Sequence, residues 1–298
     1  MPIYYPDVLS QETQERTFSY TRKDVILYAL GVGMGTNPLD ENELRFIYEK
    51  DLRVVPSAAT VLSNVWGSSW PPPAYVQTKP GLRNSTIDPA TVLHGEQKVV
   101  LHRPLPPEGR FTTRSRYIGA FDKGAGKGAV VVSEATWRDE EGTPVATLTS
   151  TAFGRSEGGF GGPREGQPAP HIVPTRAPDR TVEVAIPEGQ AALYRLSGDT
   201  NPLHIDPQAA RRAGFERPIL HGLCAFGITC RVVLAHMANH DDRRIRSHQL
   251  RWTAPVYPGD VLAVDLWRDG TQVSFAARVP ARNVTVVGNG LTVLADGS

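Results

Sequence analysis

Between residues 92 and 155 apolar and polar positions alternate in short runs, the mark of strands with one buried face. Gln97–Leu101, Arg110–Ala120, Gly128–Arg138 and Val145–Arg155 read as strands, with the turn formers Pro106–Gly109 and Asp139–Gly142 between them. A second set follows the residue-180 region: Arg180–Ile186, then 261–268, 271–279 and 283–287, with a turn at Gly259-Asp260. Helical spacing is confined to a few places. Residues 21–31 predict a helix opening at a Thr N-cap and closing at Gly31, a short helix precedes Asp199, and the apolar run from about 221 to 237 suits a central helix. From residue 31 to about 92 the pattern is irregular and rich in Pro and aromatics (Phe46, Tyr48, Trp66, Trp70, Pro71–Pro73, Tyr75). A loop that long in a compact domain predicts a segment that covers a ligand.

Gly158–Gly162 and Pro163, Pro168, Pro170, Pro174 and Pro178 mark a break in composition, read as a linker. The pattern on its two sides repeats. Tyr28–Gly33 echoes Tyr194–Asp199, Val92–Glu96 echoes Ile219–Leu223, and Pro106–Gly109 echoes Tyr257–Asp260, in the same order. The division is therefore an N-terminal repeat over 1–160, a linker over 161–178 and a C-terminal repeat over 179–298, each a helix wrapped by antiparallel sheet. From first to second echo the N-terminal copy is longer by about 39 residues, which are the irregular stretch.

Composition narrows the function classes. In 298 residues, 32 Lys and Arg balance 31 Asp and Glu, so no global basic footprint points to nucleic acid or a membrane surface. Cys224 and Cys230 are too few for a disulfide framework and read as buried small apolar residues of a reducing compartment. With no secretory leader, no stretch of 18 apolar residues and no organelle address, the expectation is a cytoplasmic protein.

The chemistry concentrates in Tyr194–His204, where Asp199, Asn201 and His204 fall within six residues among the turn formers Ser197, Gly198 and Pro202. A carboxylate and an imidazole five residues apart on such a turn can converge on one water for acid/base work. Gly222 heads the apolar run, where a helix N-terminus offers amides to a developing negative oxygen. In the first copy the positions of Asp199 and His204 fall on Gly33 and Pro38, so that copy has lost both proton-transfer groups. On the residues alone, Asp199 is equally a turn-capping residue, and His204 a buried structural histidine.

Leu196–His204 resembles the signature of the MaoC-like, hydratase 2 family of (R)-specific 2-enoyl-CoA hydratases. Tyr28–Gly33, Phe46–Tyr48, Leu93–Gln97, Asp122-Lys123 and Gly158–Gly162 extend the likeness to the two-repeat form. The resemblance implies an α+β, double hot-dog fold, an acyl-CoA thioester as substrate, and no metal or redox cofactor. It implies Asp199 and His204 as the catalytic pair, Asn201 helping to hold the water, and the Gly222 N–H on the thioester carbonyl. It also implies contacts to the acyl-CoA from His94, Gly95, Lys123, Thr200, Pro202, Leu203 and Trp252, the last at a place where relatives often carry Phe. A homodimer is compatible with it. The bland alternatives are that Asn201 only shapes the turn, His94 and His221 only orient loops, Lys123 is a solvated hairpin lysine, and Trp252 is strand core.

Other motifs fail on spacing. Gly31–Gly35 follows a helix and lacks the dinucleotide spacing, and Gly124–Gly128 lacks that of a phosphate loop and its Ser/Thr. Asp199–Asn201 breaks the EF-hand pattern at Leu203 and His204, and no nucleophile elbow is present. Two other functions compete with hydration: a hot-dog acyl-CoA thioesterase, and an acyl-CoA binder without catalysis.

Overall fold

Ten strands form one continuous antiparallel sheet in this computed structural model, which describes residues 3, 5–10, 15–63 and 92–296. Trp66, Trp70 and Tyr75 of the expected covering stretch lie outside the described residues. The strands are β1 (Arg16–Tyr20), β2 (Val92–Leu101), β3 (Gly109–Asp122), β4 (Ala129–Arg138) and β5 (Pro144–Gly154). The second five are β6 (Arg180–Ala185), β7 (Ile245–Trp252), β8 (Val261–Asp269), β9 (Gln272–Val279) and β10 (Val284–Leu294). Their order, β1-β3-β4-β5-β2-β7-β10-β9-β8-β6, matches itself when the two halves are exchanged. β2 and β7 join the halves, Lys98 opposite Gln249, and Arg251 pairs with Glu96 across the seam at 2.7 Å.

That order corrects one of the three echoes. β2 is the counterpart of β7, so Val92–Glu96 is strand, while Ile219–Leu223 is the loop and first turn of a helix. His94-Gly95 and His221-Gly222 are therefore not equivalent, and the surplus of about 39 residues counted from them does not stand. The other two echoes agree with the sheet order: Tyr28 and Tyr194 both lie in helices ahead of the seam strands, and the Pro-Gly turns both lead into β3 and β8.

The helices are α1 (Arg22–Gly31), α2 (Glu41–Leu44), α3 (Ala59–Leu62), α4 (Gln190–Tyr194), α5 (Pro207–Arg212) and α6 (Gly222–Met237). A capping box starts α1: the Thr21 amide donates to Asp24 at 2.8 Å, and the Asp24 amide to Thr21 Oγ1. α6 is apolar around most of its circumference, and it is correspondingly buried by the sheet and by the first half. Gly227 permits the closest approach there, since a Cβ would sit 2.4 Å from Val32 and 2.7 Å from the Tyr28 hydroxyl. The long central helix belongs to the second half; the described helices of the first half are shorter. Arg231 of α6 ties the halves together, donating to Glu43 at 2.6 Å and to Thr36 at 3.2 Å, while the Gly35 amide holds the other Glu43 oxygen.

The segment between β5 and β6 has no regular structure but is pinned at both ends. Asp122 accepts the amides of Gly124, Gly159 and Gly161 at 2.7–2.8 Å, fastening the glycine run to the β3–β4 turn. Further on, Trp267 donates to the Arg176 carbonyl and Asn289 to that of His171. No helix among the described residues is long and apolar enough to cross a membrane.

Candidate active site

The turn that carries Asp199 and His204 is built by its own short side chains. α4 tightens into a 3-10 turn over Arg195–Ser197 and stops at Gly198, whose φ of +119° a side chain would strain. Asp199 Oδ1 then accepts the Asn201 amide at 3.1 Å, and Asn201 Oδ1 accepts the Leu203 amide at 3.1 Å. Two Asx turns in succession, with Pro202 fixing φ, fold the chain into the 3-10 turn Pro202–His204. The capping role open to Asp199 on sequence grounds is thus filled by one of its oxygens alone. The Asn201 carbonyl oxygen is likewise spent on the turn. Pro202 faces solvent, Thr200 and Leu203 are half-buried, and His204 points inward at 8% exposure.

Two imidazoles meet below the turn. His204 and His221 stack with centroids 3.8 Å apart and planes at 28°. His204 Nδ1 lies 2.9 Å from the Ile219 carbonyl and His221 Nε2 lies 3.1 Å from the Asp199 carbonyl. A carbonyl only accepts, so each of those nitrogens carries the proton, and His204 presents Nε2 as a lone pair. Burial lowers the pKa of His204, opposed by the Asp199 charge and the Ile219 carbonyl, so the neutral base form persists below the usual range. For His221, 1% exposed, burial and the neighbouring His204 push it down to about 2. Ligating atoms of Asp199, His204 and His221 lie within 4.8 Å of one another. The spacing of the chain hides this triplet, because His221 arrives from a different element.

Gly222 is the first residue of α6; its amide and that of Leu223 precede the first helical hydrogen bond, which runs from Cys224 to the His221 carbonyl, and the His221 side chain does not cap the helix. Trp252, at the end of β7, fixes that peptide: its Nε1 donates to the Gly222 carbonyl at 2.9 Å. A Cβ at residue 222 would come within 3.1 Å of the indole, so only glycine fits against it without displacement. Trp252 is neither buried strand core nor free to swing. On its far side stands the His94 ring, 4.4 Å away and bonded to Gln97 and Ser150. The register shift between His94 and Glu96, at Gly95, is a bulge that turns His94 toward the seam.

Asp199, Asn201, His204, His221, Gly222, Trp252, His94 and Gly95 thus form one run of contacts across the junction of the halves. Lys123 does not join it. It follows β3, three strands from β2, or about 14 Å at ordinary strand spacing, and its ammonium donates to the Arg164 carbonyl at 3.0 Å. A second group with the spacing for a cation, Asp40, Glu43 and His240, lies outside this site, and its Glu43 is already held by Arg231.

Residues 18–156 match the MFE-2 hydratase 2 N-terminal domain and residues 170–289 the MaoC like domain. The chain is 37% identical over 99% of its length to a protein of Mycobacterium tuberculosis named enoyl-CoA hydratase ChsH3, of which it covers 99%. It is 39% identical over 88% of its length to the Drosophila melanogaster peroxisomal multifunctional enzyme type 2, of which it covers 43%. A solved MaoC-like dehydratase from Phytophthora capsici superposes with a TM-score of 0.85 at 32% identity, covering 99% of this chain and all of that one. Similarity of that extent, running through both halves and the turn between Tyr194 and His204, places the chain in the MaoC-like, hydratase 2 family in its two-domain, double hot-dog form.

Proposed function

We propose that the protein is a hydro-lyase that adds water across the double bond of a trans-2-enoyl-CoA to give a (3R)-3-hydroxyacyl-CoA, and runs the dehydration in reverse. The observation that carries this reading is the meeting of Asp199 and a neutral His204 within 4.8 Å, beside the uncapped amide end of α6. The names of its relatives, enoyl-CoA hydratase and MaoC-like dehydratase, agree with it.

The proposed steps follow from the groups present. A water held between His204 and Asp199 gives a proton to His204 Nε2 as its oxygen attacks C3. The alkene electrons move onto the thioester oxygen, and the Gly222 N–H stabilises that enolate. The pair returns the proton to C2 on the face that received the hydroxyl, so the site ends as it began. Asn201 shapes the turn, and Thr200, Pro202 and Leu203 form its wall toward the acyl-CoA. Trp252, His94 and Gly95 would contact the thioester from the seam, and Lys123 a more distant part of the CoA. In this reading the repeat over 1–160 shapes the acyl site and that over 179–298 does the chemistry, with 161–178 as linker. A cytoplasmic location stays an expectation of the sequence, since the Drosophila relative is named peroxisomal.

The test is hydration of enoyl-CoA thioesters of several chain lengths, followed by loss of the conjugated absorbance and chiral analysis of the product. Asp199→Asn and His204→Gln should each lower turnover by at least about 10²-fold. Wild-type turnover in either variant sinks the assignment. Release of free thiol would make the protein a thioesterase, and binding without turnover an acyl-CoA carrier.

A further inference from the structure

His221 has no part in the proton transfers described above, yet it is almost fully enclosed at the site. Its ring lies between two others, Tyr194 at 5.0 Å and His204 at 3.8 Å. Its Nε2–H donates to the backbone carbonyl of Asp199, the residue that supplies the carboxylate. It is also the N-cap residue of α6, so its own carbonyl accepts the amides of Cys224 and Ala225 at 3.0 and 3.2 Å. One residue therefore touches three parts of the site: the backbone that aims Asp199, the flat face of the His204 ring, and the peptide leading to the Gly222 amide.

We infer that His221 is a positioning residue for the hydration, holding Asp199 through its backbone and His204 through ring stacking, so that both meet one water at a fixed distance from the Gly222 amide. This rests on the reading of Asp199 and His204 as the catalytic pair. Three features of the chain require such a brace. Gly198, just before Asp199, has backbone freedom that no side chain restrains. The Asp199 carboxylate is only half-buried, so packing alone does not fix it. The Asx turn it makes to Asn201 sets the direction of the chain beyond the residue, and leaves its own carbonyl to be held from elsewhere. His221 supplies that hold from a different element, and so couples the turn to the start of α6. A neutral ring suits this role, because a charged one would repel His204 each time that base takes a proton, whereas the uncharged ring leaves it free to cycle. Small displacements matter here, because a shift of about 1 Å in a reacting group costs on the order of 10²-fold in rate.

Two replacements separate the donor from the ring. His221→Phe keeps the stacked ring and removes the donor; His221→Gln keeps an amide N–H near the position of Nε2 and removes the ring. His221→Asn is polar like Gln but too short to reach the Asp199 carbonyl. Each is purified as the full chain, checked for folding by circular dichroism and thermal unfolding, and assayed for kcat and KM with an enoyl-CoA thioester. His221→Phe is expected to lose about 10- to 100-fold in kcat with KM within about twofold. His221→Gln is expected to recover at least about tenfold over His221→Asn. Equal kcat in the Gln and Asn variants overturns the inference, as does a folded Phe variant with wild-type kcat. If the Phe variant does not fold, the Gln and Asn pair decides alone. Asp199→Asn is run beside them: its retained activity would remove the underlying reading, whereas an inactive Asp199→Asn with unaffected His221 variants removes this inference only.

Discussion

Lowering the pH from about 7.5 to about 5 should cost the protein about 4 kcal/mol of unfolding free energy, drawn chiefly from two buried histidines. His248 is fully enclosed, its Nδ1 on Thr292 at 2.7 Å, its Nε2 on Thr229 at 3.2 Å, and its ring stacked on Phe275. Burial pushes its pKa down to about 3, and that of His221 to about 2. A histidine with a depressed folded pKa binds fewer protons when folded than when unfolded. Its contribution is fully present above the unfolded value near 6.5 and is lost as the pH falls below it. At pH 5 each group lies about 1.5 units below 6.5, and at about 1.36 kcal/mol per unit this is about 2 kcal/mol apiece. Both folded values lie well below 5, so the result does not depend on where they fall. Burial shifts His171, His204 and His236 the same way, which adds to the loss. Asp242, raised by burial, works in the opposite direction and offsets part of it. Asp122, Asp179 and Asp241 are lowered from 3.8 and weaken the fold only in stronger acid, outside the window. Urea unfolding at the two pH values measures the difference, and in His248→Gln the loss should shrink by about 2 kcal/mol. A wild-type loss under about 1 kcal/mol, or an unchanged slope in His248→Gln, would refute the reasoning.

Other expectations follow from single contacts. Gly222→Ala puts a methyl 3.1 Å from the Trp252 indole and tilts the first α6 peptide, so kcat should fall by about 10- to 100-fold, short of the full loss of an oxyanion donor; unchanged steady-state kinetics would deny the amide its role. Arg231→Ala strands the buried Glu43 carboxylate with the Gly35 amide as its other partner. It should cost about 3–5 kcal/mol in urea unfolding. Adding Glu43→Gln should recover part of that, and no recovery would mean that the cost lies in packing instead.

The local pattern was enough for much of this chain. Strand-like apolar runs between turn formers located eight of the ten strands, and apolarity around most of the helix located α6 because it is enclosed. Strand β7 escaped because its buried positions include Ser247 and His248, on opposite faces, and the His248 ring is tolerable there only beside Thr229 and Thr292. Strand β1 escaped because it is a short edge of five residues. The turn from Tyr194 to His204 was legible because Asx turns are made by neighbours in sequence: Asp199 with Asn201, Asn201 with Leu203.

What the sequence alone determined was the turn and the helix start, each encoded by residues a few positions apart, and, through two of its three echoes, the repeat. Tertiary structure decided which of those pieces meet. It paired β2 with β7, so the second histidine–glycine echo proved a coincidence of composition. It brought His221 from the head of α6 under a turn made 17 residues earlier and set the Trp252 indole against Gly222. It also left Lys123 three strands from the seam. Period and turn chemistry are short-range and written in order along the chain. Stacking, burial and the loss of charge that follows depend on which surfaces are pressed together, and only the sheet assembled around α6 fixes that.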